Sequence, residues 1–212
     1  MSFPDSDRGG DSRARPAITV GIVSDNEDPE GMGRVKLTFP WRDADDESRW
    51  ARIARTMAGD DRGTYFLPEV GDEVLVAFEG GDVTHPYVLG ALWNGQDEPP
   101  ERNEGSNDIR TIRSRNGHEV TFDDGDDGGL EIRTDAGNSI SLDDESGGET
   151  VTIEDASGSN AIEFDATANE LSIKAGATIS IEAPNVEISA DGNISIDAAG
   201  VLSLDGAVIK LN

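Results

Sequence analysis

The hydrophobic positions in the C-terminal half of the chain recur as pairs separated by one residue. The pairs are Val120/Phe122, Leu130/Ile132, Ile140/Leu142, Val151/Ile153, Ile162/Phe164, Leu171/Ile173, Ile179/Ile181, Val186/Ile188, Ile194/Ile196, Leu202/Leu204 and Ile209/Leu211. Their spacing shortens from 10 or 11 residues to 7 or 8 toward the C-terminus. Each pair places two apolar side chains on one face of a short strand. Because one such strand cannot bury its own face, the pattern predicts stacked repeats in a long β-prism or β-helix.

Residues 17–93 show the pattern of a small antiparallel β-domain. The alternation of apolar and polar residues predicts five strands, over 18–23, 34–39, 50–56, 73–78 and 87–93. Five short strands with glycine-rich turns favour a partly open barrel of the OB type, although a sandwich fits the same strand count.

The remaining segments divide the chain further. Residues 1–16 are rich in Gly, Ser and charge and are predicted to be a flexible tail, with an adaptor for a neighbouring protein as the alternative. Residues 94–108 contain no hydrophobic side chain and are predicted to be a linker or collar. The repeats then occupy residues 109–212.

The formal net charge of −27 limits the classes of partner. Such a field repels phosphate backbones and anionic lipid surfaces, so a nucleic-acid partner is not expected. A surface rich in Asp and poor in Lys favours a halophilic acidic protein, and an acidic mesophilic protein is the alternative. No apolar run is long enough to span a membrane and no N-terminal signal pattern is present, so we expect synthesis in the cytoplasm.

The residues offer few candidates for chemistry. The chain has no cysteine, and neither of its two histidines is expected to act as a base. His85 is predicted to be a structural or surface residue, and His118 a packing residue between collar and needle. Carboxylate pairs occur throughout, which leaves a glycosidase-like pair open. The acidic turns at 123–127 and 143–145 lack the calcium-roll repeat, so nonspecific cation condensation is favoured. We therefore expect no catalytic, cofactor or metal site, and no enzyme.

Tryptophans in the N-terminal domain need a separate interpretation. Trp41, Trp50 and Trp93 suggest a base-stacking platform on an OB-fold, but the local charge disfavours nucleic acid. We expect these side chains in the core and at an interface between copies.

Several stretches, taken in order, resemble the spike proteins of contractile tails. This family includes the VgrG proteins of type VI secretion and phage baseplate assembly protein V. The matching stretches are 33–37 (GRVKL), 50–53 (WARI), 66–76 (FLPEVGDEVLV), 80–82 (GGD), 85–90 (HPYVLG), 93–95 (WNG) and 99–100 (PP). After the linker, residues 112–124 (IRSRNGHEVTFDD) are similar to the segment that opens the β-helix of the spike. The resemblance covers most of residues 17–212.

The resemblance implies an all-β chain with an N-terminal OB-fold barrel and a C-terminal intertwined trimeric β-helix, or β-prism needle. In such a homotrimer, each chain supplies one strand per turn around a shared axis, and the OB domains form a collar. Larger members begin with a hub domain. This sequence shows none, so we expect the hub to be a separate protein of the baseplate.

The resemblance also assigns roles within the needle. The axial core is predicted to contain Ile179, Ile181, Ile188, Ile194, Ile196 and Leu204. Members that form their own sharp tip bind iron through a closely spaced histidine pair, but no histidine follows His118. We therefore expect a blunt apolar tip that binds a small PAAR-type tip protein. Its residues are Ile209, Lys210, Leu211 and Asn212.

The function implied is that of a structural spike in a contractile injection system or phage-like tail. The spike sits on the hub at the centre of the baseplate and punctures the target envelope when the sheath contracts, with transient contact to the target membrane. The distal repeats have small residues and few charges, as suits a part that enters a membrane. The alternative is a tail-associated enzyme or glycan-binding spike that acts on surface polysaccharide.

Overall fold

The computed structural model describes residues 18–43 and 46–210, which belong to two compact units divided between Arg102 and Asn103. The described residues form an all-β protein whose only helical element is a 3-10 turn at Glu79–Gly81. The predicted flexible tail, residues 1–16, lies outside the described residues.

The N-terminal unit is a closed barrel. Its strands are β1 Ile18–Asp25, β2 Lys36–Thr38, β3 Arg52–Ile53, β4 Ala58–Gly59, β5 Arg62–Gly63, β6 Glu73–Phe78 and β7 Pro86–Ala91. Five of them form a sheet in the order β2-β1-β6-β7-β3, and β4 pairs with β5. The two edge strands are joined next to their first residues, where Val35 and Ala51 exchange N–H···O bonds of 3.1 and 2.7 Å. This closure makes the unit an OB-type barrel and excludes a sandwich.

The predicted strands match this barrel closely. Strand β6 has the predicted bounds, β1 is two residues longer, and β2 and β3 are shorter than predicted. The hairpin of β4 and β5 was not predicted, because two-residue strands leave no alternation to detect; Asp61 turns it with a φ of 51°.

Alternation along β6 explains the core of the barrel. Val74, Val76 and Phe78 point inward and are buried, whereas the residues between them are partly exposed. Phe78 lies 5.7 Å from the ring of Phe39, in the tilted arrangement that aromatic pairs prefer. The other buried apolar residues are Val23, Val35, Leu37, Ala51 and Val88.

A buried carboxylate holds the acidic loop between β1 and β2. Asp28 accepts hydrogen bonds from the backbone N–H groups of Glu30 and Met32, at 3.1 and 3.0 Å, and pairs with the Arg34 guanidinium at 2.7 Å. These donors favour the charged form, so the Arg34 pair and the backbone bonds hold the pKa of Asp28 well below its usual range.

The stability contributed by Asp28 is therefore expected to depend on pH. Since the pKa is lowered by folding, the contribution is complete above the unfolded pKa of about 4 and is lost as the pH falls below it. We expect Asp28→Asn to lower the thermal midpoint of unfolding at pH 7, and the gap from the wild type to shrink below pH ~4. Asp60→Asn, in the exposed turn between β4 and β5, is the charge-matched control. A gap that stays constant across this range would contradict the assignment.

The C-terminal unit begins as one antiparallel meander. Its strands are β8 Ile109–Arg113, β9 Glu119–Asp123, β10 Gly129–Arg133, β11 Ser139–Asp143, β12 Thr150–Glu154, β13 Ala161–Asp165 and β14 Glu170–Lys174. Each strand pairs with its neighbours in sequence order, so a single sheet of seven strands results. The first six predicted apolar pairs fall on β9–β14, one pair to a strand.

The pairing of these strands corrects one expectation. The resemblance implied one strand per turn from each of three chains, but between Ile109 and Lys174 the chain pairs with itself. The turns explain the difference, because Gly117, Gly137 and Gly158 adopt left-handed φ values of 86°, 93° and 65°, which let a short turn reverse the chain. Residues 175–210 contain no residue with positive φ and no strand. Because no strands are paired there, the apolar pairs between Ile179 and Leu204 are not joined to each other by hairpins.

Side chains also link successive turns along one side of the meander. The residue before β9, β11 and β13 accepts a hydrogen bond from a backbone N–H of the next turn along the sheet. His118 Nδ1 accepts from Asp135 at 3.2 Å, Asn138 Oδ1 from Ala156 at 3.2 Å, and Asn160 Oδ1 from Gly176 at 3.1 Å. These bonds cross-link turns 16 to 18 residues apart and add to the backbone pairing of the strands.

Loss of one such link should be measurable. We expect Asn138→Ala to destabilise the meander by about 1 kcal/mol, because it leaves the N–H of Ala156 without its acceptor. Asn116→Ala removes the same amide from an exposed turn position and should change stability little. His118→Asn should keep the link at its own turn. Equal thermal midpoints for Asn138→Ala and Asn116→Ala would count against the cross-link.

Candidate interface: the apolar face of the C-terminal sheet

The strand register aligns the apolar pairs into two rows, one across all seven strands and one across β9–β14. Row one places Ile140 between Ile132 and Ile153 on the neighbouring strands, and row two places Leu142 between Leu130 and Val151. We call these two rows together the apolar face. Row one is Ile112, Val120, Ile132, Ile140, Ile153, Ile162 and Ile173, and row two is Phe122, Leu130, Leu142, Val151, Phe164 and Leu171.

The opposite face of the sheet is polar. Because side chains alternate along a strand, the residue between each apolar pair points to the other side. These residues are Thr111, Thr121, Glu131, Ser141, Thr152, Glu163 and Ser172. The sheet is therefore amphipathic along its whole length, with one face suited to water and one face that requires a cover.

The apolar face has no such cover in the isolated chain. Its side chains are between 37% and 57% exposed, apart from the slightly better covered Val120 and Leu130. Burying the remaining surface of thirteen such residues is worth on the order of 10 kcal/mol per chain, as an upper estimate. That gain is comparable to the net stability of a whole domain. An apolar surface of this extent marks an interaction site.

The predicted axial residues lie beyond the meander. Ile179, Ile194 and Leu204 are 54%, 55% and 61% exposed, and no strand pairing holds them in the described chain. The others, Ile181, Ile188 and Ile196, are 63–72% exposed. The structure does not bring the six together; each retains an apolar side chain that the chain itself leaves open.

The predicted tip lies partly outside the described residues. Ile209 is 51% exposed and follows the exposed Val208, and Lys210 is also exposed. Leu211 and Asn212 fall among the residues that are not described.

Charge is distributed unequally between the two sides of the meander where its turns lie. The acidic edge comprises residues 123–129, 143–150 and 165–170, which include ten carboxylates and no basic residue. Arg110, at the start of β8, pairs with one of these carboxylates, Asp124. The neutral edge comprises residues 113–119, 133–139, 154–161 and Lys174, where four carboxylates balance four cations. Those cations are Arg113, Arg115, Arg133 and Lys174. A sequence reading could have found this asymmetry, because every second turn, with its flanking residues, holds two to four carboxylates and no basic residue.

A recess follows the acidic edge. It has a volume of about 460 Å³, with Leu142, Val151 and Phe164 among its apolar residues and Asp165 and Glu170 among its acidic ones. A second recess of about 200 Å³ lies nearer β9 and is lined in part by Asp123, Asp127 and the small Gly128. Each combines apolar surface with carboxylates.

Within residues 18–43 and 46–210, no cluster of three or more His, Cys, Asp or Glu side chains has a geometry that could hold a metal ion. His85 contacts Asp82 and Thr84 in a surface turn, and His118 Nδ1 accepts a hydrogen bond from the backbone N–H of Asp135. No helix in the described chain is long and apolar enough to cross a membrane.

The prediction that the tryptophans lie in the core is wrong. None belongs to the buried core: Trp41 is 46% exposed and stacks on Phe39 at 5.3 Å, and Trp93 is 68% exposed. Trp50 is half-buried under the ammonium group of Lys36. Periodicity alone could not reveal this, because the tryptophans sit at or just beyond the ends of strands.

Known proteins match residues in both units of the chain. Residues 19–93 match the type VI secretion system/phage-baseplate injector OB domain. This match covers the barrel almost completely, and it agrees with the closure of the sheet by Val35 and Ala51.

Individual relatives extend the match. The chain is 32% identical to the type VI secretion system spike protein VgrG2a of Pseudomonas aeruginosa over 47% of its length, which is 12% of that protein. It is 27% identical to VgrG1a of the same organism over 63% of its length, beyond the OB domain alone, and 19% of that protein. It is also 30% identical to the actin cross-linking toxin VgrG1 of Vibrio cholerae over 41% of its length, or 9% of that protein. The chain thus matches less than a fifth of the length of each of these relatives.

Proposed function

We infer the function of this chain from the family to which it belongs, the VgrG and phage-baseplate spike proteins of contractile injection systems, whose injector OB domain occupies residues 19–93. Within that family we propose a mechanical role. The chain acts as the central spike of the baseplate, sits on a hub and punctures the target envelope when the sheath contracts.

The observation that carries this proposal is the uncovered apolar face. We propose that three copies of the chain turn these faces toward a shared axis, where each is covered by the other two. Three amphipathic sheets with polar outer faces then form a prism with a dry interior. A rigid part needs such an interior, because closely packed side chains transmit strain with little compression.

The distal repeats complete the needle in this proposal. Residues 175–210 have apolar pairs 7 or 8 residues apart but no hairpin turns of their own, so their strand partners are segments of the sister chains. The six predicted axial residues then line the axis below the meander. Both kinds of pairing leave few backbone groups unsatisfied along the needle.

The partners follow from the same arrangement. We propose a separate hub protein at the OB end and a PAAR-type tip protein on the exposed apolar residues at Val208 and Ile209. Contact with the target membrane is transient and follows contraction. The needle carries out no catalysis, since force rather than a chemical step opens the envelope.

The polysaccharide alternative has no comparable support. In the meander, Phe122 and Phe164 are the only aromatic residues, and both lie on the apolar face. The polar face thus offers no aromatic side chain to stack on a sugar ring.

A puncture assay tests the proposed function. Purified particles that carry the wild-type chain are expected to release a dye from target cells when the sheath contracts. Particles that lack the chain should contract without release. Equal release with and without the chain would contradict the role.

A further inference from the structure

We propose that neighbouring copies of the meander meet in one direction only, with the neutral edge of one copy against the acidic edge of the next, and that Lys174 pairs across this contact with Asp165 and Glu170. The inference rests on the proposed trimer and adds to it which surfaces form each corner.

The symmetry of the assembly determines whether the acidic edge meets the neutral edge or a second acidic edge. In a closed ring of three copies each contact joins two different surfaces, whereas a two-fold dimer pairs a surface with itself. A two-fold contact through the acidic edge would bring two sets of ten carboxylates together. A cyclic contact instead places each acidic edge beside the four cations of the neighbouring copy. The charge distribution therefore favours the ring, because like charges in contact disfavour assembly.

The charges at the ends of individual strands also fit this contact between copies. Rotation about an axis parallel to the two apolar rows leaves every residue at its own height, so equivalent strands meet at a corner. At β12, Glu154 of one copy would meet the uncharged Thr150 of the next, and at β14, Lys174 of one copy would meet Glu170 of the next. At β10, Arg133 meets Gly129. Only β9 joins like charges, Glu119 and Asp123, and the cationic ends of β8 and β10 lie on either side of Glu119.

Lys174 is less engaged within its own chain than Arg133. Arg133 is already bonded to Glu131 in its own chain, which raises the pKa of Arg133. The ammonium group of Lys174 donates to the carbonyl of Gly158 at 3.2 Å, and among the described residues no carboxylate forms an ion pair with it.

The recess on the acidic edge suits a lysine side chain. Its apolar residues, such as Phe164 and Leu171, can cover the methylene stem, while Asp165 and Glu170 receive the charge. The recess thus provides for both parts of the side chain, and Lys174 of the neighbouring copy lies at the same height.

Charge exchange tests this contact. A double-mutant cycle compares four proteins: the wild type, Lys174→Glu, Glu170→Lys and the variant with both changes. The quantity measured is the thermal midpoint of trimer dissociation in moderate salt. Arg62→Glu, on the exposed β5 hairpin, matches the charge change of Lys174→Glu. We expect Lys174→Glu to lower the midpoint by roughly 3 °C relative to Arg62→Glu. The double variant should recover most of that loss.

A recovery larger than the sum of the two single effects could only come from contact between copies, because Glu170→Lys also faces Asp165 in its own chain. Positions 170 and 174 are the two ends of β14, about 13 Å apart in an extended strand, so they cannot pair within one chain. The double variant also keeps the net charge of the wild type.

The outcomes separate this inference from the proposed function. Recovery in the double variant supports the corner contact. A trimeric wild type in which the two single effects simply add would overturn the contact but leave the trimer intact. A wild type with the mass of one chain would overturn both. Lys174→Gln, which removes the charge without reversing it, should shift the midpoint in the same direction by a smaller amount.

Discussion

Replacement of Ile194 by aspartate is expected to abolish the trimer. If Ile194 lies on the shared axis, the substitution places three carboxylates together in a dry core, and each unpaired buried charge costs several kcal/mol. The single chain should tolerate the change, because Ile194 is already 55% exposed there. We therefore expect the mass in solution to fall to that of one chain, while the circular dichroism of the meander persists.

Asn193→Asp is the matched control for this variant. It adds a carboxylate one residue away, on the opposite face of an extended chain, where it should stay in water. The trimer should survive this change. An Ile194→Asp protein that remains trimeric and resists heat as well as Asn193→Asp would remove Ile194 from the axis.

Replacement of Ile153 by aspartate should have the second largest effect. Ile153 lies in the middle of row one, with Ile140 and Ile162 as its cross-strand neighbours. A charge there must be buried when the apolar faces close on one another. We expect the dissociation constant of the assembly to rise at least about 100-fold, equivalent to about 2.8 kcal/mol. Sedimentation across a range of protein concentrations measures this change.

Thr152→Asp distinguishes a face effect from a strand effect. Thr152 lies beside Ile153 in β12 but on the polar face, opposite Ser141 on β11. Its carboxylate remains hydrated, so assembly should be nearly unchanged. Equal weakening by both variants would show that the apolar face does not carry the contact.

Much of the fold could be predicted because its signals are local. The i, i+2 pairs identified β9–β14 one by one, and alternation identified β6 to the residue. The Gly, Asp, Asn, Ser and Ala residues between the pairs indicated equally well where the turns lie. Strand β8 and the hairpin of β4 and β5 were missed because each lacks an apolar pair of its own.

The pairing partners could not be predicted from the same signals. An apolar pair looks alike whether its strand bonds to its own chain or to a sister chain. Left-handed residues mark most of the hairpin turns, such as Gly137, and among the described residues left-handed φ values end at Asn169. Resemblance to the family implied intertwining throughout, whereas the structure shows a self-paired meander as far as Lys174.

The candidate interface was only partly visible in the sequence. The pairs showed that each strand has one apolar face, but the alignment of Ile140 with Ile132 and Ile153 depends on the register across strands. Register in turn depends on turn geometry. The links from His118, Asn138 and Asn160 to the next turn also required the structure, because each joins residues 16 to 18 positions apart.

The mass of the purified chain in solution, from sedimentation equilibrium or native mass spectrometry, tests the shared axis most directly. Three sister chains should migrate together as one species of three times 22.5 kDa. A well-folded protein of 22.5 kDa, soluble and stable with its rows of isoleucine and leucine facing water, would contradict the account.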